Sequence, residues 1–384
     1  MNTRAGKFVM QSGGYKAFIP APLPPAPPIE YDDELQLLLS KADRDLARLD
    51  GITTVLPNAD LFIAMYVKKE ALLSSQIEGT QASLEGVLEF EADLTPKEDV
   101  NEIKDVINYI KALNYGMSRL NELPMSLRLI REIHKNLLEG TRGANRNPGE
   151  FREFQNYIGA PGASLNKAIF VPPPPDIVIP AMEELEKFFH RKDDIPPLVK
   201  IALIHAQFET IHPFLDGNGR VGRLLITFYL YWTGILSRPL LYLSFYLKKN
   251  RAAYYDLLMK VRREGAWEDW IKFFLEGVSE TSQEAANTAR EIIKLKDVLI
   301  TKLYENSIAS VYAVKLIDLL FEKPVISTKD VVEKLKVSTV TANELVRRFV
   351  TIGILREITG KQRYKKYIFT DYVEIIARGT KDDY

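Results

Sequence analysis

The sequence predicts a mainly α-helical protein: a helical bundle carrying one small β-hairpin, an N-terminal helical extension and a C-terminal winged helix-turn-helix module. Three observations predict it. Apolar residues recur at helical spacing through most of the chain. Gly/Pro/Asn turn chemistry between short apolar runs is confined to two segments. From residue 311 onward, short amphipathic helices precede a basic hairpin.

In chain order, Gly13 to Pro28 turn from Gly-rich to Pro-rich and read as an extended arm, suited to a proline-binding partner or to a strap over helices. Leu35, Leu38, Leu39, Ala42 and Leu46 then mark one helix. Pro57-Asn58 reads as the N-cap of a second helix that runs to Gln76. Thr95-Pro-Lys-Glu98 has the form of a capping box with Pro at the first helical position, opening a helix to about Leu120. Gly149-Glu-Phe-Arg152 leads into residues 157–171, two apolar runs joined by turn residues, which predict a β-hairpin; Pro172 to Pro175 form a stiff stop after it.

The chemistry concentrates in His212-Pro-Phe-Leu-Asp-Gly-Asn-Gly-Arg220-Val-Gly-Arg223. Upstream, Leu198, Ile201, Ala202 and Phe208 repeat at helical spacing after Pro196-Pro197, and Pro213 ends that helix because the residue before proline is pushed out of the α region. Downstream, Val221 to Trp232 is nearly continuous apolar sequence and reads as a buried helix. Gly217-Asn218-Gly219 therefore falls at a helix N-terminus, where free backbone N–H groups and the dipole favour an anion and glycine permits close approach. Asp216 is a hard oxygen ligand suited to Mg²⁺. Arg220 and Arg223, three apart, can clamp phosphates, and His212 can take a hydroxyl proton.

This segment fills every specified position of the Fic family signature, H-P-F-x-[D/E]-G-N-G-R-x-x-R, and the chain resembles that family. The resemblance implies a helical domain that transfers AMP from ATP to a Ser, Thr or Tyr hydroxyl of a protein and releases pyrophosphate. It implies His212 as general base, Asp216 as the Mg²⁺ ligand, Gly217, Asn218 and Gly219 as the phosphate nest, and Arg220 and Arg223 on the outer phosphates. Phe214 would anchor the loop. Ser74-Ser-Gln-Ile-Glu78-Gly79 ends the second helix, with Ser74 and Glu78 on one face. It resembles the family's inhibitory motif, which implies that Glu78 pairs with Arg223 and displaces the ATP γ-phosphate from within the same chain. By the same analogy the 157–171 hairpin holds the target segment, Asn250 or a nearby tyrosine contacts adenosine, and homodimers are common.

Composition narrows the alternatives. The chain has 384 residues, no cysteine, four histidines and equal numbers of acidic and basic residues. Thiol nucleophiles, disulfides and zinc-thiolate sites are excluded, and zero net charge argues against general nucleic-acid binding. No signal peptide or membrane span is evident, which predicts a soluble cytoplasmic protein. His205, on an apolar helix, reads as a core histidine.

The expected divisions are an arm with N-terminal helices (1–99), a catalytic domain (100–290), a linker helix (291–310) and the winged-helix module (311–384). In the last, Tyr312 to Phe321, a short helix from Ser327 and Thr339 to Val350 make three helices, and the turn Thr359-Gly-Lys lies between Ile354-Leu-Arg and Tyr367-Ile-Phe. From Tyr312 onward fourteen Lys/Arg face ten Asp/Glu, a mild excess for a DNA binder, and the module suits either DNA or a protein partner. Two functions follow: an autoinhibited adenylyltransferase, or a DNA-binding regulator that uses the site as a nucleotide sensor. Removal of AMP or another phosphate transfer are variants of the first.

Overall fold

The computed structural model describes residues 2–55, 59–160 and 162–380. The chain is mainly helical, with two small sheets at its ends. The first is antiparallel: β1 (Asn2–Thr3), β2 (Gly6–Met10) and β3 (Lys16–Pro20), with Phe8 opposite Phe18. β3 and its turn occupy residues that sequence reasoning assigned to the extended arm. Ala17 and Phe18 are buried, and Phe18 packs on Phe170, so tertiary burial makes a strand of a run too short to announce itself. The proline segment beyond it is laid over helices, its Ala21 carbonyl accepting from Gln207 Nε2 at 2.8 Å.

α1 (Asp33–Val55) and α2 (Ala59–Ile77) follow; the Pro57-Asn58 cap lies outside the described residues. α3 (Leu84–Glu91) is capped by Ser83, and α4 (Val100–Arg119) by Asp99, whose side chain accepts from Asn101 N. The predicted capping box at Thr95 is therefore wrong by one loop: Glu98 bonds Ser83 instead, closing the α3 cap from outside. A hydroxyl nearby in space outcompeted the local pairing.

α5 (Leu127–Leu138), capped by Ser126, buries Ile130, Ile133, His134 and Leu137 along one face. In the flap that follows, the expected hairpin is reduced to one antiparallel bridge, Ile158 to Phe170, around a 3₁₀ turn at Leu165–Lys167; Pro161 lies outside the described residues. Its apolar runs are too short to extend the ladder. α6 (Pro175–His190) starts on the proline run. α7 (Pro197–Ile211) and α8 (Asn218–Trp232) pack on each other and are buried on nearly every face, so the loop between them sits at the centre of the bundle. α9 (Ser244–Lys249), α10 (Arg251–Glu264) and the 39-residue α11 (Trp267–Glu305) complete it, and α1 lies along α11. α11 runs through residue 290 without a break. Among the described residues no helix is long and apolar enough to cross a membrane.

The C-terminal module comprises α12 (Val311–Glu322), β4 (Val325–Ser327), α13 (Thr328–Leu335), α14 (Thr339–Thr351), β5 (Arg356–Glu357), β6 (Lys366–Ile368) and α15 (Thr370–Ala377), with strand order β4-β6-β5. Ser310, Ser327 and Ser338 cap its three expected helices through their hydroxyls. α15 was not anticipated. It packs against α2, α3 and α11, and Gln76 Nε2, near the end of α2, donates to the carbonyls of Thr380 and Ala82, each at 3.1 Å.

Candidate active site

The loop between α7 and α8 starts with His212 in the left-handed region (φ 49°, ψ 60°) and ends at Gly217 (φ 75°). A non-glycine residue there costs about 1 kcal/mol or more and persists only when its surroundings hold it. Here they hold it from three sides. Asn218 Oδ1 accepts from Phe214 N and its Nδ2 donates to Phe214 O, both at 2.8 Å, so this side chain closes the loop while its backbone starts α8. Arg152, buried at the base of the flap, donates from Nε to His212 O at 2.9 Å and from Nη2 to Pro173 O at 2.6 Å. Asn156 Nδ2 donates to Phe214 O at 3.0 Å. Burial, with no carboxylate close by, brings the Arg152 guanidinium down to about 10, still charged at neutral pH.

His134 supports the loop from α5. Its ring stacks on Phe214 with centroids 3.7 Å apart, and Gly149 N donates to Nδ1 at 2.8 Å. The proton therefore resides on Nε2, which donates to Asp216 O at 3.0 Å. Burial pushes His134 down to about 4, so it is neutral. Sequence reasoning missed His134, Arg152 and Asn156 as site residues: each lies far from the signature in the chain, and an isolated polar residue on an amphipathic face carries no spacing signal.

His212 is pushed down to about 3, first by burial and then by the Arg262 and Arg152 charges; it is neutral at physiological pH, the form a general base requires. His205, by contrast, is a core residue: Nδ1 lies 3.0 Å from Gly222 O and Nε2 3.0 Å from Tyr254 Oη.

The two arginines of the signature diverge. Arg223, 1 % exposed, turns towards α2 and donates from Nε to Ser74 Oγ at 2.8 Å, from Nη2 to Ser74 O at 2.9 Å and from Nη2 to Glu78 Oε1 at 2.8 Å. Ser74, Glu78 and Arg223 thus meet across almost 150 residues of chain. Burial alone would raise the Glu78 carboxyl; the Arg223 charge and hydrogen bond outweigh it and hold the group below its ordinary range. Its side chain is still 40 % exposed. Gly219 faces it: a Cβ there would collide with Glu78 Oε1 and approach Arg223 Nη1 to 3.0 Å. Gly79 turns the chain after α2 with φ 99°. Arg220 lies instead between Asp105 (3.7 Å) and Asp216 (3.6 Å), with no hydrogen-bond partner for Nε among the described residues.

Asp216 accepts from Gly217 N through Oδ1 at 2.6 Å, and its side chain is half exposed. Among the described residues no cluster of three metal-ligating side chains exists. A lone carboxylate still fits Mg²⁺, which keeps several waters and takes phosphate oxygens. Asn250 turns its amide back onto Tyr246 O at 3.0 Å, between α9 and α10. Tyr254 is buried against His205. Tyr255 is half exposed, and its hydroxyl is pushed up by burial and then by the Glu78 charge.

Residues 36–118 match the Fic/DOC family N-terminal domain, residues 124–230 the Fic/DOC family domain and residues 314–367 an HTH DNA binding domain. The chain is 29 % identical to the protein adenylyltransferase Fic of Drosophila grimshawi over 56 % of its own length and 43 % of the relative's, so it spans under half of that protein. It is 26 % identical to a probable protein adenylyltransferase of Aquifex aeolicus over 64 % of this chain and 72 % of that one. A crystal structure of a Fic family protein from Desulfovibrio desulfuricans superposes with a TM-score of 0.59 at 18 % identity, covering 89 % of this chain and 97 % of the other, and shares the fold. With the Fic/DOC family domain spanning the described loop and the family's N-terminal domain preceding it, the chain is a Fic-domain protein with a C-terminal helix-turn-helix module.

Proposed function

We propose that this chain is a protein adenylyltransferase that transfers AMP from ATP to a Ser, Thr or Tyr hydroxyl and is inhibited in cis by Glu78. The observation that carries the reading is a neutral His212 on the same loop as the Gly217–Gly219 helix start, with Arg223 in the second turn of α8 and paired with Glu78. His212 takes the hydroxyl proton as the oxygen attacks the α-phosphorus; a new O–P bond forms, the α–β bridging bond breaks, and pyrophosphate leaves with that electron pair. The N–H groups of the first turn of α8 bind phosphate oxygens, and Arg220 and Arg223 neutralise their charge. Asp216 would hold Mg²⁺, which supplies charge neutralisation on the phosphates. Glu78 occupies Arg223 and adds negative charge to the site, which disfavours a productively placed triphosphate.

Exposed Phe154 and Ile169 flank the flap bridge and provide an apolar edge for a target segment. The test is transfer of label from α-phosphate-labelled ATP with Mg²⁺ by the wild type, Glu78→Gly and Glu78→Gly/His212→Ala. Label on protein should rise in the single variant and vanish in the double; no label in any variant, with ATP still bound, refutes the reading.

A second reading, DNA binding by the C-terminal module, is favoured by the exposure of Val340 at the start of α14 and Tyr364 on the wing. Arg347 and Arg348 are both paired with Glu344, so phosphate contacts there require these pairs to open. A duplex mobility shift by the full chain, lost when the wing residues Lys361, Arg363 and Lys365 are replaced by alanine, tests it.

A further inference from the structure

Glu209 lies in the last turn of α7, three residues before His212, and is 6 % exposed. Its Oε1 has no hydrogen-bond partner among the described residues, nor does His212 Nδ1. The two groups face each other, Oε2 to Nδ1, at 4.0 Å. The opposite wall is Gly222 of α8, where an added Cβ would stand 2.5 Å from Glu209 Oε1; a side chain on α8 would exclude the carboxylate. Buried carboxylates are costly unless partnered, so one left beside the unpartnered nitrogen of a general base calls for an explanation in the reaction itself.

We propose that Glu209 is a positioning residue acting through His212: its carboxylate faces Nδ1–H and stabilises the imidazolium formed when the target hydroxyl gives its proton to Nε2. The inference rests on the adenylyltransferase reading. In that step the O–H bond breaks, the proton moves to Nε2, and the oxygen's electron pair forms the bond to the α-phosphorus. The positive charge then sits on a ring that the Arg262 and Arg152 charges oppose, and the Glu78 charge that favours it is gone from the released enzyme. Glu209 supplies the compensating negative charge on the Nδ1 side, and a shift of about 1 Å on substrate binding brings 4.0 Å to hydrogen-bond distance. The Glu209 backbone carbonyl also acts on the ring, so the distinctive contribution of the side chain is its charge.

The groups facing Glu209 are Arg223 from α8, Glu78 from α2, Arg262 and Tyr254 from α10, and His212. Burial first, with Glu78 adding to it and Arg223 and Arg262 opposing, pushes the Glu209 carboxyl up to about 7. Above that pH it is charged and favours the imidazolium; below it the support is lost. Removing Glu78 takes away one of the raising charges, so the limb should lie at or below pH 7 in the released enzyme.

The experiment compares Glu78→Gly with Glu78→Gly/Glu209→Gln and Glu78→Gly/Glu209→Asp in the full chain, following label transfer from α-phosphate-labelled ATP against pH. Glu209→Gln should lower kcat by about 10- to 100-fold with KM for ATP little changed, and should erase the limb near neutrality. Glu209→Asp, which keeps the charge on a shorter side chain in altered surroundings, should restore a limb at a shifted pH. An unchanged kcat and limb in Glu209→Gln, or a loss confined to KM and thermal stability, overturns the assignment. If Glu209→Gln does not fold, Glu209→Asp decides alone, and a limb at the same pH as in Glu78→Gly overturns it. No label from Glu78→Gly itself refutes the adenylyltransferase reading and this inference with it, whereas label from Glu78→Gly with an indifferent Glu209→Gln refutes this inference only.

Discussion

Release of Glu78 can be given a magnitude. The perturbation is Glu78→Gln, which keeps the size of the side chain and removes its charge. In the native chain Glu78 accepts one charge-assisted hydrogen bond at 2.8 Å from an arginine that is almost wholly buried, while its own side chain is 40 % exposed. Hydrogen bonds to charged groups contribute about 1.5–3 kcal/mol. Solvent screening at the exposed carboxylate reduces this to roughly 1–2 kcal/mol. If the inhibited arrangement is stabilised by that amount, its loss shifts the population of the open one by about 5- to 30-fold. The assay is the initial rate of label transfer at saturating ATP and Mg²⁺, wild type against Glu78→Gln. The sign of the pH dependence also follows. The Glu78 carboxyl is held below its ordinary value, so the stabilisation is present at pH values above the released group's pKa and is lost only as pH falls through the lowered value. The activation ratio should therefore be constant between about pH 8 and pH 9, above the Glu209 limb. A ratio below twofold, or one that collapses within this window, refutes the reasoning.

Three further outcomes are expected. His134→Ala removes the ring stack on Phe214 and the bond to the Asp216 carbonyl, and should cost about 2–4 kcal/mol of stability, read as a lower midpoint in denaturant, together with a fall in kcat. Gln76→Ala removes the bonds to the Thr380 and Ala82 carbonyls and the one from Lys248 Nζ, which tie the end of α2 to α15 and α9; basal transfer should rise severalfold, and unchanged transfer would show that Glu78 is held without them. Chelation of Mg²⁺ should abolish transfer, and Asp216→Ala should raise the Mg²⁺ concentration needed for half-maximal rate.

The candidate site was legible where its parts adjoin in the chain. His212 to Arg223 lie on one loop and the first turn of one helix, so residue types and spacing alone described the base, the nest and the arginines. The start of α13 was equally plain, because Ser327 bonds a backbone group only three residues away. The capping box at Thr95 failed for the converse reason: Glu98 had a better partner in Ser83, brought up by the packing of α3 against α4. Residues 16–20 became a strand because Phe18 found Phe170, and α15 formed where α2, α3 and α11 offered it a surface.

The sequence by itself therefore determined the helical class, the site loop with its flanking helices and the helix-turn-helix module, since periodicity, caps and glycine turns act over a few residues. The Glu78–Arg223 pair was implied by the family resemblance, but only the tertiary structure decided that Arg223 also bonds Ser74 while Arg220, three residues away, turns to Asp105 and Asp216. It alone set Arg152 and His134 against the loop and Glu209 against His212. Those choices depend on which side chains approach across the bundle once α7 and α8 are buried, and the direction of a long side chain is decided by its neighbours in space, on which local spacing is silent.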